Sequence, residues 1–190
     1  MDSAALANLY EYLATTGFNT DSVLVIRHGR IVSETYVAPF SVKLRHDQRS
    51  VTKSVVATLI GMALQEGKIA SLDQKVLSFF PNQASNGPHQ EVLAVRHLLD
   101  MASGIQWQEH PYNEKSDALK LWKSQDWVKF ILDRQVSVAP GQKFQYIAAA
   151  PHLLSAILTR STGVNAAREE GTERHFGHHA DAHRFAQARQ

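Results

Sequence analysis

The stretch Arg49-Ser50-Val51-Thr52-Lys53-Ser54-Val55-Val56-Ala57-Thr58-Leu59-Ile60-Gly61-Met62-Ala63-Leu64-Gln65-Glu66-Gly67 decides how this chain is read. Val55, Val56, Leu59, Ile60, Ala63 and Leu64 recur at helical spacing and predict a helix over residues 50–66. Val51, Ala57 and Met62 carry apolarity around the other side, and a helix apolar on most sides is expected to be buried. Gly67 suits its C-terminus, and Gly61 in its middle suggests a close neighbour. Ser50 and Lys53 stand three residues apart at its start. A rise of about 1.5 Å per residue puts two such side chains on nearly one face, about one turn apart. A hydroxyl and an amine held that way can work as a nucleophile and its base. The helix N-terminus adds backbone N–H groups and a positive dipole end near developing negative charge. Four letters of this kind recur roughly once by chance in a chain of this length. A serine at a helix start and a lysine reaching for water explain them equally simply, so the weight falls on the surroundings.

Upstream, Leu6, Leu9, Tyr10 and Leu13 predict a short amphipathic helix closed by Gly17. Ser22–Arg27 and Ile31–Tyr36 are two β-rich runs around His28-Gly29-Arg30 and predict a hairpin. Residues 37–49 read as a loop. Downstream, Leu72 to Pro81 reads as a turn with a short helix, and Glu91 to Met101 as another helix ending in Ala102-Ser103-Gly104. Residues 105–115 form a polar loop that holds Trp107 and Tyr112. Ser116 to Leu132 reads as one amphipathic helix anchored by Leu119, Trp122, Val128 and Ile131. After the Pro140-Gly141 turn come Phe144-Gln145-Tyr146. A last helix begins near Pro151, carries Leu153, Leu154, Ile157 and Leu158 on one stripe, and stops at Gly163.

Composition excludes several classes of function. The formal charge is only +2, and there is no like-charge block or basic stripe interleaved with aromatics, so nucleic acid is not an expected partner. Cysteine is absent, which removes disulfides and thiolate metal sites and fits a reducing compartment. No run approaches 18 apolar residues, so no membrane partnership is expected, and the N-terminus lacks the pattern of a signal peptide. A cytoplasmic location is the resulting expectation.

The ordered set Arg27-His28-Gly29, Ser50-x-x-Lys53, Leu72-Asp73, His97-Leu98-Leu99, Ser103-Gly104, Pro140-Gly141, Phe144-x-Tyr146 and His152-Leu153-Leu154 resembles the serine β-lactamase and penicillin-binding-protein superfamily. The closest branch is the class C-like group, with its family VIII esterases, D-alanyl-D-alanine carboxypeptidases and 6-aminohexanoate-dimer hydrolases. The resemblance covers residues 20–165. It implies an α/β (α+β) fold of the β-lactamase/transpeptidase type and an acyl-enzyme mechanism that needs no cofactor and no metal. Ser50 would attack an ester, amide or β-lactam carbonyl of a small molecule, Lys53 would act as general base, and Tyr146 would shuttle the proton to the leaving group. His97 and His152 match family positions as structural or loop-anchoring residues. Trp107, Tyr112 and Trp122 are candidates to line a cleft, with core packing an equal reading for Trp122 on its helical stripe.

The chain departs from this pattern twice. The family's Tyr-x-Asn has Ala148 in its third position, and Ala148 cannot supply the carboxamide. The family's later Lys/His-Ser/Thr-Gly strand has no counterpart, since Ser161-Thr162-Gly163 reads as a helix end. Residues 1–164 are therefore expected to be the N-terminal part of the family domain, a hairpin plus the helical portion, with most of the central antiparallel sheet missing. A catalytically inactive domain, at most a weak binding module, is the competing expectation. Residues 165–190 hold four histidines (His175, His178, His179 and His183) and no Leu, Ile, Val, Met, Trp or Tyr. They are expected to form a polar, frayed or disordered tail. Arg174-His175-Phe176-Gly177 echoes a family segment, and a shifted reading frame is one origin for the tail. Substrate and oligomeric state stay open.

Overall fold

The computed structural model describes residues 3–164; the histidine-rich segment lies outside the described residues. The chain forms two compact units that divide between Gln48 and Arg49.

The first unit holds helix α1 (Ser3–Thr15) and the antiparallel strands β1 (Ser22–Arg27) and β2 (Arg30–Tyr36). The hairpin is a product of local sequence. His28 and Gly29 at its tip have φ of 49° and 72°, and two successive left-handed residues give the turn whose twist matches that of paired strands. The Tyr10 hydroxyl and Ser33 hydroxyl share a hydrogen bond that ties α1 to β2. This is the one multi-residue sheet among the described residues, and Leu24, Ile26 and Ile31 on it are exposed.

The second unit is helical. A 3₁₀ turn, Arg49–Val51, leads into α2 (Thr52–Gln65), so the expected helix over 50–66 is present with its first turn tightened. Its burial is narrower than its composition suggests. Val56, Leu59, Ile60 and Ala63 are buried, a single stripe at i, i+3, i+4 and i+7, whereas Val51, Ala57 and Met62 are exposed. Gly61 also lies on the open side, and a Cβ added there would meet no atom within 4 Å. The close neighbour expected at Gly61 is absent among the described residues.

α7 (Ala150–Thr162) packs on α2 and buries Leu153, Leu154, Ile157 and Leu158 against that stripe. It ends as expected: Gly163 has φ of 77° and donates its N–H to the Thr159 carbonyl. Ser161-Thr162-Gly163 is thus a helix terminus. The same core receives a 3₁₀ turn (Val76–Phe79), α4 (Val95–Leu99) and α6 (Trp127–Leu132).

Two expected helices are split by capping chemistry. The one over 91–101 becomes α3 (Pro88–Val92) and α4, because Leu93 and Ala94 are extended. There the His97 ring accepts the Ala94 N–H through Nδ1 at 3.0 Å. The one over 116–132 becomes α5 (Asp117–Lys123) and α6. Ser116 caps α5 by accepting from Leu119 N–H, and Asp126 caps α6 by accepting from Lys129 N–H. Ser124 is extended between them, which turns one apolar stripe into two short ones.

A close approach of backbones then sets up the site. Gly104 has φ of 71°, and a Cβ there would lie 2.0 Å from the Val138 carbonyl oxygen. Glycine lets the 101–106 segment act as a rail for residues 135–145. Ser137 N–H donates to Gly104 O, Gly141 N–H to Ala102 O, and Gln145 N–H to Met101 O at 2.7 Å.

Candidate active site

Three groups from two distant parts of the second unit meet at one point. The Ser50 hydroxyl lies 2.6 Å from the Tyr146 phenol oxygen, and Lys53 Nζ lies 3.1 Å from Ser50 Oγ. The Lys53 Nζ sits 4.8 Å from the centre of the Tyr146 ring. Helix geometry accounts for the Ser50–Lys53 pair, since the two stand about one turn apart where the 3₁₀ turn runs into α2. Arg49, immediately before Ser50, has φ of 47° and turns the chain sharply into the helix. The structure therefore brings together all three residues singled out in the sequence.

Their setting is half open. Ser50 is exposed, Lys53 is half-buried, and Tyr146 is 39% exposed. Burial pushes the Tyr146 phenol up, but hydrogen bonding with Lys53 and Ser50 and the Lys53 charge outweigh it and hold it below the ordinary tyrosine value. The charge of Glu109 works against that lowering. When Lys53 is charged it donates to Ser50 Oγ, leaving the serine proton free to point at the Tyr146 oxygen. As a free amine it can accept that proton instead. A hydroxyl, an amine and a phenol in one hydrogen-bonded cluster have the chemistry that a nucleophile, a base and a proton carrier need.

Glu109 adjoins this cluster, and no motif singles it out. The segment over 105–115 reads as a polar loop, yet Trp107 and Glu109 are buried in it. Glu109 Oε2 accepts the Trp107 indole N–H at 2.7 Å and the Ala148 backbone N–H at 3.0 Å. Its Oε1 accepts the Tyr112 hydroxyl at 3.1 Å. The only sequence signal was a carboxylate close to Trp and Tyr, which is too common to point anywhere.

Trp107 and Trp122 divide between core and surface. Trp107 is a core residue, edge-on to Phe130 at 6.3 Å. Trp122 is 47% exposed and stacks flat on Tyr112 with ring centres 6.3 Å apart, so its position on the helical stripe did not bury it. His97 is a capping residue, and His152 packs edge-on to Trp127 at 4.9 Å. The described residues contain no group of three or more His, Cys, Asp or Glu that could hold a metal ion. None of their helices is long and apolar enough to cross a membrane.

A family model described as Beta-lactamase matches residues 6–176. The 6-aminohexanoate-dimer hydrolase of Paenarthrobacter ureafaciens is 29% identical over 159 residues, which cover 76% of this chain and 39% of that protein. The octameric penicillin-binding protein homologue from Pyrococcus abyssi is similar in structure, with a TM-score of 0.63 at 23% identity over 88% of this chain and 41% of that one. A penicillin-binding protein homologue from Caulobacter crescentus also gives a TM-score of 0.63, at 18% identity over 90% of this chain and 47% of that one. At these identities the structural matches show the fold, which is β-lactamase/transpeptidase-like. The chain spans less than half the length of each of these proteins.

Proposed function

This chain belongs to the Beta-lactamase family, and from that premise we propose that it is a serine hydrolase of the esterase or amidase type. Ser50 Oγ attacks the carbonyl carbon of a small ester or amide and its proton passes to the Lys53 amine. The tetrahedral adduct collapses as Tyr146 delivers a proton to the departing oxygen or nitrogen and is reprotonated from Lys53. Ser50 is then left as an ester of the acyl group. Water attacks this ester by the reverse proton path and frees the acid and Ser50. The Ser50 backbone N–H, at the start of the α2 turn, is one donor for the oxyanion. The observation that carries this reading is the Ser50–Tyr146 contact at 2.6 Å together with Lys53 at 3.1 Å. The likeness to a 6-aminohexanoate-dimer hydrolase favours an amide or ester over a β-lactam.

p-Nitrophenyl acetate tests the proposal. The purified chain is expected to release p-nitrophenol and to gain one acetyl mass on the peptide that contains Ser50. Ser50→Ala is expected to lose both. Hydrolysis that persists in Ser50→Ala removes this site from the mechanism, and a folded wild-type chain with no acylation favours an inactive domain. Nitrocefin under the same conditions separates β-lactam turnover from ester turnover.

A further inference from the structure

We propose that Glu109 is the positioning residue of this site: its buried carboxylate clamps the chain segment that carries Tyr146 and holds the phenol over Ser50. The inference rests on the reading of Ser50, Lys53 and Tyr146 given above, and it adds a residue that has no counterpart in the motifs of the sequence.

Tyr146 stands between two ties to one short segment. On its N-terminal side, Gln145 Nε2 donates to the Trp107 carbonyl at 2.7 Å. On its C-terminal side, the Ala148 N–H donates to Glu109 Oε2 at 3.0 Å. Residues 107–109 therefore grip the arch of chain whose crown is Tyr146. Ile147, next to the phenol, is 1% exposed and anchors the same arch in the core.

The gripping segment is itself fixed. The Gln108 N–H donates to Asp117 Oδ2 at 2.9 Å, and the Asp117 N–H returns a bond to the Gln108 carbonyl. The Ser116 hydroxyl donates to the Glu109 carbonyl at 3.0 Å. Arg134 and Lys120 both pair with Asp117. A carboxylate that is 9% exposed and accepts from an indole N–H, a backbone N–H and a phenol is a built site, since burying such a charge without partners is costly. Its position also suits the departure at residue 148. Ala148 offers no side chain to hold the site together, but its backbone N–H is bound by Glu109.

Glu109 also acts on the phenol through charge. The groups that face Tyr146 are Ser50 and Lys53 from the start of α2 and Glu109 from the 107–116 loop. Burial raises the neighbouring Tyr112 phenol, its hydrogen bond to Glu109 and the charges of Glu109 and Tyr146 add to that, and Arg49 opposes it. Neutralising Glu109 removes a group that opposes phenolate formation at Tyr146.

Two substitutions separate the effects. Glu109→Gln keeps an oxygen for the Trp107 and Ala148 N–H groups and loses the charge. Glu109→Ala loses both. With p-nitrophenyl acetate, Glu109→Ala is expected to lower kcat about 10-fold to 100-fold with KM little changed, as displacement of a reacting group does. Glu109→Gln is expected to recover most of that loss. Independently of turnover, the near-ultraviolet titration of the Tyr146 phenol, isolated as the difference from a Tyr146→Phe background, is expected to move to lower pH in Glu109→Gln. An unmoved titration in folded Glu109→Gln, or a Glu109→Ala variant with wild-type kcat, overturns the proposal. Full hydrolysis in Ser50→Ala would instead overturn the reading beneath it and leave the titration result to judge Glu109 alone.

Discussion

The Ser50 hydroxyl and the Tyr146 phenol lie 2.6 Å apart although 96 residues separate them in the chain. The contact depends on α7 packing against α2, because Tyr146 sits just before α7 and Ser50 just before α2. Core burial thus aligns the two ends that meet at the site. Tyr146→Phe keeps the ring and deletes the oxygen. It is expected to lower kcat/KM for p-nitrophenyl acetate by about 10²–10³-fold, the range for a lost proton-transfer group. Thermal unfolding should stay near wild type, since the phenol is 39% exposed. An undiminished rate would remove Tyr146 from the proton path.

The pH profile follows from the same cluster. Burial raises the Tyr146 phenol, but Lys53 and Ser50 together bring it below the ordinary value. A phenol depressed in the folded state binds fewer protons than in the unfolded chain between the two values. Its contribution to stability is present above the unfolded value and is lost as pH falls through the folded one. The phenolate fraction accordingly rises at a lower pH than in free tyrosine. Lys53→Met removes a hydrogen bond and a charge that both favour phenolate, so the Tyr146 titration is expected to move to higher pH. Absorbance titration against Tyr146→Phe checks it, and a downward or absent shift would contradict the assignment of Lys53 as the dominant neighbour.

His97 gives a prediction about stability. Burial lowers its imidazole first, and the Arg96 and Lys75 charges add to that; Asp100 and Asp73 oppose it weakly. Its Nδ1 must be unprotonated to accept the Ala94 N–H. The folded state resists protonation, so this stability is present above the ordinary histidine value and is lost as pH falls through the lowered one. His97→Gln keeps an acceptor and removes the titration, and it should flatten the decline of the melting temperature in that acid window. His97→Ala should cost about 0.5–1.5 kcal/mol at neutral pH, the net worth of a hydrogen bond. A wild-type slope in His97→Gln would show that other groups set the acid limit.

Local sequence made much of this legible. The His28-Gly29 turn, the stop at Gly163 and the Ser50–Lys53 spacing are all short-range, and each appears where the residues alone put it. The link from Ser50 to Tyr146 was readable only through the resemblance, because periodicity carries no information across 96 residues. Glu109 was not readable at all. Its partners Trp107, Tyr112 and Ala148 include a backbone N–H, which leaves no mark in the sequence. The splitting of 116–132 was hidden because Ser124 and Asp126 sit inside an apolar period that continues through them. Trp122 shows the converse: helical spacing placed it on the apolar stripe, but the shortened helix left it stacked on Tyr112 at the surface.

Gly61 and Gly104 should respond to the same substitution with opposite signs. At Gly61, in the middle of α2, a Cβ meets nothing within 4 Å and the backbone is helical. Alanine there restores helix propensity and restricts the unfolded chain, so Gly61→Ala is expected to stabilise by about 0.5–1 kcal/mol. At Gly104 the backbone has φ of 71°, and the Cβ would lie 2.0 Å from the Val138 carbonyl oxygen, a backbone atom that cannot rotate away. Left-handed strain of about 1–2 kcal/mol adds to an overpacking cost of about 1–3 kcal/mol, so Gly104→Ala is expected to destabilise by about 2–5 kcal/mol. Because Gly104 fixes the rail on which Gln145 rests, that loss should also appear as a weakened Ser50–Tyr146 contact and reduced acylation below the melting transition. Chemical denaturation of both variants beside wild type gives the answer. Destabilisation by Gly61→Ala would mean that the open side of α2, where Ala57 and Met62 are exposed, is covered in solution.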